Sequence, residues 1–189
     1  MTATSVNDLA PDFDERAVVE AAKKGDQEAL STLYEFYFPR VYRYVASRVS
    51  SSEDAEDVTE EVFLKILTNL KKFSWRGLPF GAWVFRIARN ETISHARRQK
   101  SRAPSVPLID TIPDDSQDHV TAVEVGMALE AVKEAAARLP EAQRDVIALR
   151  FGAGLSVAET AASLKKSENN VKVLQHKAIA KLKTMVRRD

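Results

Sequence analysis

Residues 154–183 read GLSVAETAASLKKSENNVKVLQHKAIAKLK, two helical apolar patterns split by a turn of three or four residues. Ser156 followed by Glu159 makes a capping box, in which a hydroxyl and a carboxylate satisfy the free N–H groups of a helix start. The first pattern ends near Leu164, and Ser167 caps a second, longer helix. Two helices joined by so short a turn make a helix-turn-helix, whose second helix fits the major groove of duplex DNA.

At about 100° per residue, Val171, Leu174, Ala178 and Leu182 fall on one inward stripe. Asn169, Val173, His176 and Ala180 fall opposite, with Asn170, Lys172, Lys177 and Lys183 on the flanks. Gln175 lies near the apolar stripe and is expected to be a boundary residue, hydrogen-bonded to a neighbour. Between 165 and 188 there are eight Lys or Arg and one acid, Glu168. Lysines suit phosphates, asparagine suits adenine edges, and an outward valine suits a thymine methyl. A basic run alone would mean only a solvated helix; cap, turn and outer face in one register point to DNA.

Charge in the whole chain hides this pattern, because 28 Lys and Arg nearly cancel 27 Asp and Glu. The 189 residues, 44% apolar, are enough for one ordinary domain or two small ones. There is no cysteine, which excludes a disulfide framework, thiolate zinc sites and a cysteine nucleophile. The first residues lack the basic and apolar segments of a secretory signal, and no apolar run could span a bilayer, so a cytoplasmic protein without membrane insertion is expected. His95, His119 and His176 are scattered, and neither a metal-binding His pair nor a glycine-rich phosphate loop occurs. No catalytic group, metal site or cofactor is expected.

Outward from the opening stretch, apolar residues recur every three or four positions and glycine is rare, which predicts an all-α fold. Helices are expected at about 14–24, 26–49 with a bend at Pro39, 53–70 capped by Ser51 or Ser52, 79–100, 120–138 and 140–151, with Pro140 at a first helical position. SRAPSVPLIDTIPDDSQD, residues 101–118, holds three prolines and four aspartates and fits no regular element. The chain therefore divides into a disordered 1–12, a helical domain over 13–100, a linker over 101–119 and a helix-turn-helix domain over 120–189.

The first domain carries two faces of opposite sign. In the helix from 53, Ala55, Val58, Val62 and Ile66 make the inward stripe, while Asp57, Glu60, Glu61 and Leu64 project outward. A leucine amid carboxylates suits a protein docking surface, and also an ordinary solvated face. In the helix from 79, Arg86, Arg89, Asn90 and Arg97 share an outward sector, and aromatics in the preceding KKFSWRGLPFGAWVF, residues 71–85, offer stacking surfaces for unpaired bases. Trp83 adjoins the inward stripe and reads as core; Trp75, in the loop, is divided between contact and partial burial.

Three ordered segments, SSEDAEDVTEEVFLKI (51–66), FGAWVFRIARNETISHARRQ (80–99) and LPEAQRDVIALRFGAGLSVAETAASLKKSENNVKVLQHKAIAKLK (139–183), resemble the extracytoplasmic-function sigma factors of the bacterial sigma-70 superfamily over about 14–185. The resemblance implies an RNA polymerase subunit that confers promoter recognition and assists DNA opening, with core RNA polymerase, promoter DNA and an anti-sigma factor as partners. It implies that Asp54, Glu56, Asp57, Glu60 and Leu64 dock on the clamp helices of the largest polymerase subunit. It places the minus-ten element on Trp75, Arg76, Arg86, Arg89, Asn90, His95, Arg97 and Arg98, although the wheel turns His95 away from the arginines. Ser167, Asn169, Asn170, Lys172, Val173, His176 and Lys177 are implied to meet the minus-35 element. Asp110, Asp114, Asp115 and Asp118 would imitate nucleic-acid charge in the polymerase channels, or simply solvate the tether. Ser94 and Ala96 replace an aspartate and a leucine common in the family, and Leu174-Gln175 replaces Arg-Leu. On the residues alone, a stand-alone helix-turn-helix regulator and a protein-binding helical adaptor remain rivals.

Overall fold

The computed structural model describes residues 14–75, 77–102, 132 and 134–186. The expected N-terminal extension, most of the linker with its aspartates, Arg76, His119 and the start of the helix expected from 120 lie outside the described residues. Among the described residues all regular structure is helical: α1 (Glu15–Lys23), α2 (Gln27–Ala46), α3 (Ser52–Asn69), α4 (Phe80–Arg102), α5 (Glu141–Ile147), α6 (Val157–Leu164) and α7 (Glu168–Val186). Residues 134–137 are also helical.

The starts of α1, α2 and α3 have a local cause, a side-chain oxygen that accepts a free N–H of the first turn. Asp14 accepts the N–H groups of Arg16 and Ala17 at 3.1 Å, Asp26 that of Ala29 at 3.0 Å, and Ser51 that of Asp54 at 3.1 Å. Gly25 turns the chain between α1 and α2 at φ 94°, a conformation that favours glycine. Pro39 lies within α2 on its exposed side, where its missing N–H costs least. Pro140 stands one residue earlier than expected, as the N-cap of α5 at ψ 142°. The helix expected to run to 151 changes at Ala148 into a π-helical turn, Ala148–Gly152. This wider turn is closed by Ala153 N–H to Ala148 O and Leu155 N–H to Leu149 O, both 2.9 Å.

α1 to α4 pack as sequential neighbours around Val19, Leu33, Tyr37, Val41, Tyr44, Val58, Val62, Phe80, Val84 and Phe85, all buried. Tyr37 meets Phe80 edge-on at 5.5 Å and Tyr44 meets Phe85 edge-on at 5.8 Å. Ring quadrupoles favour this arrangement. α5 to α7 enclose a smaller core of Val146, Ala161 and Val171, flanked by Val157, Leu164 and Leu174. Ala148, Leu149, Ala153 and Leu155 belong instead to the large cluster of α1–α4. Leu149 and Leu155 are completely buried. Such burial is worth about 1.5–3 kcal/mol for each side chain, so the two halves share part of their core.

Candidate nucleic-acid interface

The helix-turn-helix has the geometry its sequence implies. Ser156 Oγ accepts the Glu159 N–H at 3.1 Å and Glu159 accepts the Ser156 N–H at 2.8 Å, so both halves of the capping box are made. α6 ends at Lys165, left-handed at φ 53° and ψ 46°, with Lys166 N–H bonded to Ala161 O at 2.9 Å. Glycine usually takes such a position; a lysine here keeps a cation at the turn. Ser167 Oγ accepts the Asn170 N–H at 3.2 Å and starts α7.

Val171 and Ala178 are buried, Leu174 and Leu182 half-buried, and Asn169, Asn170, Lys172, Val173, His176 and Lys177 exposed. Val173, 44% exposed, is one of the few large apolar side chains left open. Gln175 accepts from Arg150 Nε at 3.1 Å, which holds it at the edge of the packed face. The residues from Asn169 to Lys177 implied to read the minus-35 element thus share one solvent-facing surface, with Ser167 at its start.

α4 is different. Asn90, Arg97 and Arg98 are exposed, but Arg86 and Arg89 are half-covered by α5 and α6. Arg86 donates to the Ala162 carbonyl at 2.7 Å, and Arg89 Nε donates to Asp145 at 2.8 Å, with Glu141 3.7 Å from its other end. Burial works against the Arg89 charge, but Asp145, with Tyr44 and Glu141, outweighs it and holds the guanidinium pKa above its ordinary value. Arg98 faces α3, pairing with Glu61 at 2.9 Å. His95 also faces α3, with Nε2 3.1 Å from Asp54 Oδ1. It is thereby separated from the arginine sector it was grouped with.

Trp75 is partly buried, and its indole N–H donates to Glu20 at 2.9 Å. The Arg16 guanidinium lies 5.7 Å from the Trp75 ring centre, within reach of a cation–π attraction. The indole bond, then Lys23, lowers the Glu20 pKa. Trp83 is partly buried and packs against the core, its ring tilted to those of Phe73 and Phe80 at 5.2 and 5.3 Å. Beside this aromatic group an open cavity of about 550 Å³ is lined by Phe73, Ser74, Trp83, Arg86 and Lys165, among others.

On α3, Glu56, Asp57, Glu60 and Leu64 are exposed, Leu64 to 64%. Asp54 is drawn inward by His95 and by Gln99, whose amide donates to it at 2.9 Å. Leu67, 52% exposed, and Tyr34, 47%, extend the apolar face of Leu64 towards α2.

Sequence reasoning missed the ions between the two halves. Arg48 meets Asp145 at 3.0 Å, and Arg40 donates to the Ala153 carbonyl at 2.8 Å. Glu15 accepts the Tyr37 hydroxyl, and its carboxyl pKa is raised, first by burial and further by Glu159 of α6. Burial pushes the Tyr37 hydroxyl well up in turn. Nothing local signals these partners, which lie far apart along the chain. Among the described residues no group of His, Asp and Glu could hold a metal ion, and no helix is long and apolar enough to cross a membrane.

Comparison with known proteins matches two family profiles, Sigma-70 region 2 at residues 33–102 and Sigma-70, region 4 at residues 135–184. The ECF RNA polymerase sigma factor SigD of Mycobacterium tuberculosis is 35% identical over 175 residues, covering 88% of this chain and 81% of SigD. The ECF RNA polymerase sigma factor BldN of Streptomyces coelicolor is 36% identical over 172 residues, covering 87% of this chain; the chain spans 63% of BldN, just under two thirds. The same fold occurs in the sigma factor RpoE of Bartonella quintana, co-crystallised with the anti-sigma factor NepR: TM-score 0.66, 22% identity, covering 84% of this chain and 97% of that one.

Proposed function

This chain belongs to the extracytoplasmic-function group of the sigma-70 family, and on that footing we propose that it is the promoter-specificity subunit of an RNA polymerase, acting in the cytoplasm and catalysing no bond change itself. The family consists of transcription regulators rather than catalysts. The observation that carries the reading is the exposed face of α7, where Asn169, Lys172, Val173, His176 and Lys177 stand together behind a fully made capping box.

In this reading, residues 120–189 form the minus-35 domain and 13–100 the domain that binds core and the minus-ten element, with 101–119 as tether. α7 enters the major groove, its lysines positioning on phosphates and its asparagines and Val173 reading base edges. α4 and the loop before it hold the opened minus-ten strand, with Arg97 and Asn90 free to meet it and Arg86 and Arg89 available once uncovered. Glu56, Asp57, Glu60 and Leu64 of α3 dock on the polymerase clamp, a leucine anchor ringed by charges. An anti-sigma factor holds the chain when it is idle, as NepR binds RpoE of Bartonella quintana.

The test is a mobility shift with and without core RNA polymerase, on duplex fragments recovered from a genomic library. Specific retention only in the presence of core supports the reading. Specific binding by the chain alone would make it a stand-alone helix-turn-helix regulator, and no binding under either condition a protein adaptor.

A further inference from the structure

Arg150 and Gln175 meet inside the helix-turn-helix domain, and neither belongs to the surface assigned to DNA. Arg150 stands in the π-helical turn Ala148–Gly152, a wider turn that re-aims the side chains it carries. Its Nη1 donates to the Leu155 carbonyl and its Nε to Gln175 Oε1, the latter at 3.1 Å. Leu155 immediately precedes Ser156, the N-cap of α6, and Gln175 lies about two turns into α7. One planar guanidinium thus ties the start of α6 to the middle of α7, with both bonds fixed in a single fork.

The apolar contacts of α7 leave its rotation weakly determined. Beneath it lie only Val146, Ala161 and Val171, with Ala178 buried one face-repeat further on. Burial of such short side chains sets how deep the helix lies, but the hydrophobic effect has no direction. A hydrogen bond does. A helix with its side chains is about 10–12 Å across, so a rotation of about 10° carries the outer atoms about 1 Å. That displacement is enough to spoil a hydrogen bond to a base edge.

We propose that Gln175 is a positioning residue for minus-35 recognition: held by Arg150, it fixes the rotation of α7 and so selects the base edges that Asn169, Val173 and His176 reach, without touching DNA itself. The inference rests on the reading of α7 as the recognition helix. Two tasks on that helix then separate. Lys172 and Lys177, exposed on long flexible stems, hold phosphates over a range of rotations. The shorter Asn169 and Val173 depend on the rotation directly. Loss of the Arg150–Gln175 bond therefore costs specificity more than affinity.

The chain has no cysteine, so spin labels at Ala158→Cys on α6 and Lys181→Cys on α7, both exposed positions, report the disposition of the two helices by pulsed electron resonance on the full chain. Gln175→Leu should shift or broaden that distance distribution, and Gln175→Glu, which keeps an oxygen facing the guanidinium, should restore it. The binding assay uses unlabelled holoenzyme and a minus-35 duplex selected from a random library by the wild-type holoenzyme. Gln175→Leu should discriminate this duplex from its single-base variants about fivefold less well, the equivalent of one hydrogen bond, with an unchanged slope of log K against log salt. Arg150→Met should give the same loss, and the double variant no more than either change alone. Additive losses would mean that Gln175 reads DNA directly, and would overturn the proposal. So would an unmoved label distance, or a lower melting point with discrimination intact. A wild-type holoenzyme that selects no preferred sequence at this element would refute the α7 reading itself; the label distances, measured without DNA, tell the two failures apart.

Discussion

Lys172→Ala gives a quantitative test of how α7 meets DNA. Lys172 is exposed on the flank of the outer face, so its removal breaks no packing inside the protein. Each neutralised phosphate contributes a slope of about −0.9 to log K against log salt. If Lys172 contributes one such contact and nothing else, the variant holoenzyme binds a minus-35 fragment about 15-fold more weakly at about 50 mM salt and about 4-fold more weakly at about 200 mM. The assay is fluorescence anisotropy of a labelled promoter fragment titrated with holoenzyme at several salt concentrations. Lys172→Arg should restore the slope, and thermal melting of the free variant should match the wild type. An unchanged slope, or a loss that is the same at every salt concentration, would refute a phosphate role and point instead to a base contact.

Leu64→Glu should lower affinity for core polymerase at least about tenfold, as for an interface anchor. The side chain is 64% exposed. Stability should therefore stay within about 0.5 kcal/mol of the wild type, the usual range for surface substitutions. Unaltered co-elution with core would count against α3 as the docking helix. Ser156→Ala removes one bond of the capping box. It should cost about 1 kcal/mol, seen as a melting point about 2–4 °C lower by calorimetry; no shift would mean that packing alone holds α6. Glu15→Gln tests the buried acid beside Tyr37, Arg40 and Glu159. Because the folded-state pKa of Glu15 is raised above its ordinary 4.5, the folded chain binds the proton more tightly than the unfolded one. Its contribution is therefore full below about pH 4.5 and is lost as pH rises through the raised value. The melting point of wild type minus variant should fall across that window; a flat or rising difference would contradict the assignment.

The helix-turn-helix was legible because its determinants are local. A capping box, an N-cap serine and a stripe at helical spacing each depend on residues within a few positions, and Ser156–Glu159, Ser167 and Val171–Ala178 all stand where the pattern put them. Gln175 was legible for the same reason, since an edge position on a wheel predicts a polar neighbour, which proved to be Arg150. The docking of α5 and α6 was not. Arg48 and Asp145 belong to opposite halves of the chain, and each alone reads as an ordinary surface ion. The outward sector of α4 was correctly drawn on the wheel, but outward from one's own helices is not outward from the whole chain: Arg86 and Arg89 project from the α1–α4 core into the second half. His95 was legible in direction, since the wheel turns it away from the arginines; its partner Asp54, across α3, was not. The π-helical turn at Ala148–Gly152 escaped because a single added residue per turn leaves the apolar spacing almost unaltered.

The central claim is that this chain gives core RNA polymerase its promoter specificity. The most direct measurement is run-off transcription by core polymerase reconstituted with the purified chain on a genomic promoter library, with the transcript ends sequenced. Initiation should concentrate at a small set of sites sharing two upstream elements, and should be lost with the Leu64→Glu chain. Transcript ends no different from those of core alone would contradict the account.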